Sequence, residues 1–148
     1  MRKLILVALA TAISSGAHAA EWKKFVPTAY VLSPAEDAHI VAMANLNGDA
    51  FVVNLVDLSG SFCKESQNSD VSPAGPYKVN GQNLKFIQAC ISGNRILSPE
   101  TPKGKQFLAS AITSAPATVE LDLGVVLHFA SEDFDSAKKA MLDTKSAM

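Results

Sequence analysis

Over residues 39–58 apolar side chains recur at alternate positions on either side of Asn47-Gly48, a dipeptide favoured in tight hairpin turns. A two-residue turn there sets Ala44 opposite Phe51, Ala42 opposite Val53 and Ile40 opposite Leu55, so one face of the hairpin is wholly apolar. The other face pairs Met43 with Val52, Val41 with Asn54 and His39 with Val56, and is mixed. Two further turn signals, Asn80-Gly81 and Gly93-Asn94, flank the apolar run 84–91 and predict a three-stranded meander. In that meander Tyr77 faces Leu84, Ile91 faces Ile96 and Cys90 faces Leu97. Leu84, Phe86 and Cys90 fall on one side of the middle strand, and Ile87, Ala89 and Ile91 on the other. A strand that is apolar on both sides belongs inside a sheet.

Residues 25–32 are β-prone but interrupted by Pro27, which suits an edge strand, where a missing N–H costs little. Trp22, the only tryptophan, is expected as a lid over one end of the core. Residues 59–75, rich in Ser, Gly, Asn and Pro, read as a long loop. The period then changes. Thr101 as N-cap and Pro102 at the first helical position open a helix at about 102–114, with Phe107, Leu108, Ala111 and Ile112 on its apolar stripe. Residues 118–129 return to strand sequence, broken near Gly124. Ser131 is placed to cap a last helix, about 131–143, with Phe134, Ala137, Met141 and Leu142 on its apolar side; beyond Asp143 the tail is expected to fray. The pattern predicts an α+β domain, a mainly antiparallel β-sheet of about six to eight strands with two short helices.

The first residues change the picture of where the chain works. Arg2 and Lys3 precede an apolar stretch over 4–13, and Ala17-His18-Ala19 has the small-x-small form that signal peptidase cleaves after. That stretch is about half the roughly 20 residues a bilayer requires, so a signal peptide is expected over residues 1–19 rather than a membrane anchor. Cleavage after Ala19 takes 19 of the 148 residues and leaves 129, residues 20–148, as a single exported domain, periplasmic or secreted. Of the 13 Lys and Arg two leave with the leader, so 11 face 14 Asp and Glu and the formal charge becomes −3. Nothing basic is clustered, which argues against nucleic acid as partner, and no later apolar run is long enough to span a membrane. Two cysteines in an exported chain, Cys63 and Cys90, predict a structural disulfide, since their spacing is unlike that of a C-x-x-C redox pair.

Candidate chemistry is sparse. His39 and His128 fall in predicted strands, and no Gly-x-Ser-x-Gly elbow accompanies them. No His or Cys spacing suits a metal, so neither metal nor cofactor is expected. Residues 45–49 hold the amide and acidic side chains of a calcium loop but lack its closing glutamate, and they coincide with the hairpin turn. Glu132, Asp133 and Asp135 read as first-turn helix carboxylates. The long loop supplies the candidate recognition residues Lys64, Glu65, Gln67, Asn68 and Asp70, beside the bridged Cys63. The expectation is a non-enzymatic exported protein that binds another envelope or secreted protein, as an inhibitor, an immunity-type protein or an envelope accessory. Two other classes stand beside it. One is a small-ligand carrier with an apolar pocket lined by Phe86, Phe107, Ile112 and Phe134, and the other a hydrolase built on His39 or His128.

Overall fold

A computed structural model describes residues 20–36, 39–114 and 116–147, and the expected signal peptide lies outside the described residues. In chain order the elements are β1 (Lys23–Val26), β2 (Ala29–Leu32), β3 (Ile40–Asn47), β4 (Ala50–Asp57), β5 (Ser72–Val79), β6 (Gln82–Ile91), β7 (Asn94–Pro99), α1 (Pro102–Ser114), β8 (Ala117–Glu120), β9 (Val126–Phe129) and α2 (Phe134–Ser146). Among the described residues the strands form one antiparallel sheet in the order β1-β2-β3-β4-β7-β6-β5-β8-β9. The fold is therefore α+β with nine strands, more than the six to eight expected. Pro27 does not interrupt an edge strand; it sits in a turn where the chain doubles back to make β1 and β2 out of one predicted segment.

Both outer turns of the predicted hairpins sit one residue away from their expected places. The β3–β4 turn is Gly48-Asp49, with Gly48 at φ +66° as first central residue, so Ala44 pairs with Val53 and Ala42 with Leu55. The β6–β7 turn is Ser92-Gly93, both at positive φ, so Ile91 pairs with Asn94 and Cys90 with Arg95. Each change slides one strand by two residues against its partner. A two-residue slide keeps every side chain on its face, and Ala42, Ala44, Val53 and Leu55 are all buried together as the pattern requires. The Asn80-Gly81 turn stands where expected and sets Tyr77 against Leu84.

The apolar face of the sheet packs on the helices. Leu108 and Ile112 of α1 share one buried core with Leu32, Leu55, Phe86, Leu97, Val119 and Phe129, and Ala137 of α2 joins it. The Thr101 hydroxyl accepts the Gly104 N–H at 3.0 Å, the cap expected for α1. The second helix begins later than predicted, at Phe134, and Ser131 does not cap it. Long-range bonds hold the preceding segment out of the helix: the Ala130 carbonyl accepts the Ala20 N–H at 3.0 Å, and the Asp133 carboxylate accepts the Trp22 N–H at 3.2 Å. Trp22 is buried, with its ring 5.2 Å from that of Phe134, a lid as expected. The helix also runs on to Ser146 instead of fraying after Asp143, because Lys145 reaches the Gly48 carbonyl at 2.9 Å and the Asp49 carboxylate. The N–H of Ala35 donates to the His128 carbonyl at 2.8 Å, so main chain covers part of β9, an otherwise open edge. No helix among the described residues is long and apolar enough to cross a membrane.

Candidate functional site: a stapled loop and a stacked arginine

The loop between β4 and β5 covers residues 58–71. It is shorter than predicted, because residues 72–75 belong to β5 and pair with β6. Its start coils through short polar turns, with the Asp57 carboxylate accepting the Ser59 N–H at 2.9 Å and the Ser59 hydroxyl accepting the Ser61 N–H at 3.2 Å. Cys63 is buried, and its sulfur stands at disulfide distance from that of Cys90 near the end of β6, with Cα atoms 5.9 Å apart.

Hydrogen bonds then fasten the loop along the β6–β7 turn. Ser69 and Cys90 exchange two of them, at 2.8 and 2.9 Å. The Ser92 N–H donates to the Asn68 side chain at 2.9 Å, and the Gly93 N–H to the Gln67 carbonyl at 3.0 Å. The fit is close enough to require glycine at position 93. At φ +82° a Cβ there would lie 2.8 Å from the Ser66 nitrogen and 3.2 Å from the Lys64 carbonyl. Of the five predicted recognition residues, Gln67 and Asn68 therefore hold the loop, the former also accepting the Lys64 N–H on its side-chain oxygen at 2.7 Å. The side chains of Lys64, Glu65 and Asp70 are exposed.

The frame also presents apolar side chains. Phe62 is 63% exposed, Val71 64%, Ile91 54% and Leu58 51%. Val71 and Ile91 line, with Ile87, Ala89, Ile96 and Ser98, a depression of about 170 Å³. A second cavity, of about 90 Å³, lies under Phe62; it too borders Gln88 and Ala89 but on the opposite face of the sheet, the face of Cys90 and Arg95. Its remaining walls are Ser69, Ser72, Cys90 and Arg95.

Arg95 is half-buried and held on three sides. Its Nε donates to the Gln88 side-chain oxygen at 2.7 Å, its Nη2 to the Tyr77 hydroxyl at 3.3 Å, and its guanidinium lies 3.9 Å from the centre of the Phe62 ring. The Tyr77 hydroxyl donates in turn to Asp122 at 2.9 Å. Burial first, and then that bond to Asp122, push the Tyr77 phenol above its ordinary range, with Arg95 opposing. The phenol keeps its proton at neutral pH and is a fixed donor. Sequence alone marks neither Phe62 nor Arg95 as functional. An aromatic in a Ser/Gly run beside a cysteine was the one available signal.

Neither histidine lines the cavities of this end. His39 is exposed, and its carbonyl accepts the Leu58 N–H at 2.8 Å. His128, 58% exposed, has its Nδ1 against the Glu36 carboxylate, which also accepts the His128 N–H at 2.8 Å. No group of three or more potential metal ligands occurs among the described residues. Of the side chains expected to line a carrier pocket, Phe86 and Ile112 are in the core, while Phe107 and Phe134 line separate surface depressions. Comparison with protein-family models, with curated protein sequences and with solved structures gives no match.

Proposed function

We propose that this chain is a non-catalytic exported protein that binds another envelope or secreted protein through the stapled end of its sheet, as an inhibitor, an immunity-type protein or an envelope accessory. One observation carries the reading. Large apolar side chains, Val71 and Ile91, stand in solvent around one depression with Ile87, Ala89 and Ile96, beside a loop fixed with a disulfide and at least four hydrogen bonds. Scattered exposed apolar residues need no explanation, but a contiguous group on a rigid frame does. Rigidity matters because a loop already in its bound shape loses less conformational entropy on association.

The test uses the mature protein as immobilised bait in an envelope extract of its own host, beside the variants Val71→Glu and Ile91→Glu. Both positions are exposed, so unchanged thermal unfolding is expected for each. A specific partner retained by the wild type and released by both variants supports the proposal. Equal retention by all three proteins refutes the assignment of the surface.

A further inference from the structure

Resting on the reading above only in taking the partner to be a protein, we propose that Leu123, at the tip of the β8–β9 hairpin, is an anchor that enters an apolar pocket of that partner. Two independent observations meet at this residue. It is fully exposed, more so than any other large apolar side chain among the described residues. It also holds a left-handed backbone, at φ +59° and ψ +27°. Single exposed leucines are ordinary. A bulky side chain at positive φ is not, because its Cβ crowds the following carbonyl oxygen. Solvent and backbone both disfavour a leucine at position 123, and its full exposure leaves no packing within the chain to offset them.

Other turns of the same chain display what such a position ordinarily takes. The Val125 N–H donates to the Asp122 carbonyl at 3.3 Å and closes a turn whose central residues, Leu123 and Gly124, both have positive φ. The β5–β6 turn has Asn80 and Gly81 at +48° and +80°, and the β6–β7 turn has Ser92 and Gly93 at +50° and +82°. Small polar residues fill the first place in both, and asparagine suits it well. The tip is also held from below. The Leu121 N–H donates to the Val125 carbonyl at 2.8 Å, and the Asp122 carboxylate accepts the hydroxyl of the buried Tyr77 at 2.9 Å. Backbone strain persists where its surroundings over-determine it, and it clusters at functional sites. A leucine raised on a fixed tip enters a pocket with little conformational entropy to lose. Charge favours a protein over a membrane as its receiver. Glu120 and Asp122 stand beside Leu123 and residues 120–126 hold no base, so an anionic lipid surface repels this tip.

The experiment compares the mature wild type with Leu123→Asn, Leu123→Met and Val71→Glu, each as bait in an envelope extract of the host and each by urea unfolding. Leu123→Asn is expected to raise the urea midpoint and yet to lower recovery of a specific partner at least about tenfold, the least expected when a whole leucine side chain is no longer buried. Leu123→Met, still apolar, is expected to keep the partner. A midpoint that Leu123→Asn leaves unchanged or lowers overturns the proposal, and so does equal recovery by Leu123→Asn and the wild type. Binding of the wild type, but not of Leu123→Asn, to vesicles of phosphatidylethanolamine and phosphatidylglycerol assigns the tip to a membrane instead. A wild-type dimer that Leu123→Asn dissociates assigns it to a second copy, and either result overturns the proposal. A partner released by Val71→Glu but kept by Leu123→Asn removes the anchor and leaves the depression standing, and the opposite pattern does the reverse. A partner kept by both variants, or none recovered by the wild type, removes the two together.

Discussion

Replacing Cys63 and Cys90 together by serine is expected to lower the unfolding free energy by about 3.5 kcal/mol. The bridged residues are 27 apart in sequence. Opening a loop of that length returns roughly 12 cal/mol/K to the unfolded ensemble in the chain-entropy model. The folded state loses less, because the Ser69–Cys90, Asn68–Ser92 and Gln67–Gly93 hydrogen bonds still hold the loop on the turn. For a domain of this size a change of 1 kcal/mol moves the midpoint by about 3–5 °C, so the melting temperature falls by about 10–18 °C.

The assay is urea unfolding followed by the fluorescence of Trp22. That ring packs on Phe134, which lies 5.9 Å from Phe51 near the start of β4, whereas Cys63 follows the end of β4. The signal therefore reports loss of the whole domain and not fraying of the loop. The midpoint should fall and the slope of free energy against urea should steepen, since an unlinked unfolded chain exposes more surface. A shift worth less than about 1 kcal/mol with an unchanged slope would refute the argument that the bridge acts by constraining the unfolded chain.

Leu108→Ala empties a fully buried position between α1 and the sheet and should cost about 2–5 kcal/mol, seen as a lower urea midpoint with unchanged slope. Leu142→Ala, on the exposed side of α2, should stay within about 0.5 kcal/mol in the same measurement. Thr101→Ala removes the acceptor for the Gly104 N–H and should cost about 1 kcal/mol, since only the first turn of α1 is affected. Glu36 carries a pH dependence. Bonds from the His128 main-chain N–H, and next from its imidazole, hold the carboxyl below its ordinary 4.5. An acid whose folded pKa is depressed stabilises above its unfolded pKa, and that contribution is lost as pH falls through the folded value. Stability should therefore decline below about pH 4.5, and Glu36→Gln should flatten that decline; the difference stays under about 1 kcal/mol because the pair faces solvent.

Local chemistry and long-range contacts divide what the sequence makes legible. Turn residues locate hairpins well, because Asn80-Gly81 or Gly48 needs a left-handed backbone wherever it falls. They fix register less well, since adjacent dipeptides such as Ser92-Gly93 and Gly93-Asn94 satisfy the same turn equally. The face pattern survives this ambiguity, because a two-residue slide changes which residues pair and not which are buried. The start of α1 is legible for the same reason of locality: Thr101, Pro102 and the Gly104 N–H lie within four residues. The start of α2 is not, because Ala20 and Trp22, more than a hundred residues away, bind the chain just ahead of it and hold it out of the helix.

The candidate site follows that division. Its loop is visible from composition and its anchor from two cysteines in an exported chain, yet composition cannot separate residues that hold the loop from residues it displays. Gln67 and Asn68 look as available as Lys64 until the turn they bind is in place. Arg95 in the sequence is a single arginine after Gly93-Asn94. Only the pairing of β5, β6 and β7 brings Tyr77 and Gln88 within reach of it, and only the staple at Cys63 sets Phe62 over its guanidinium. The chemistry of this end thus depends on register. Were Cys90 to face Leu97 instead of Arg95, the bridge would still form, but an aliphatic side chain would stand beneath Phe62 and the cavity would hold no charge.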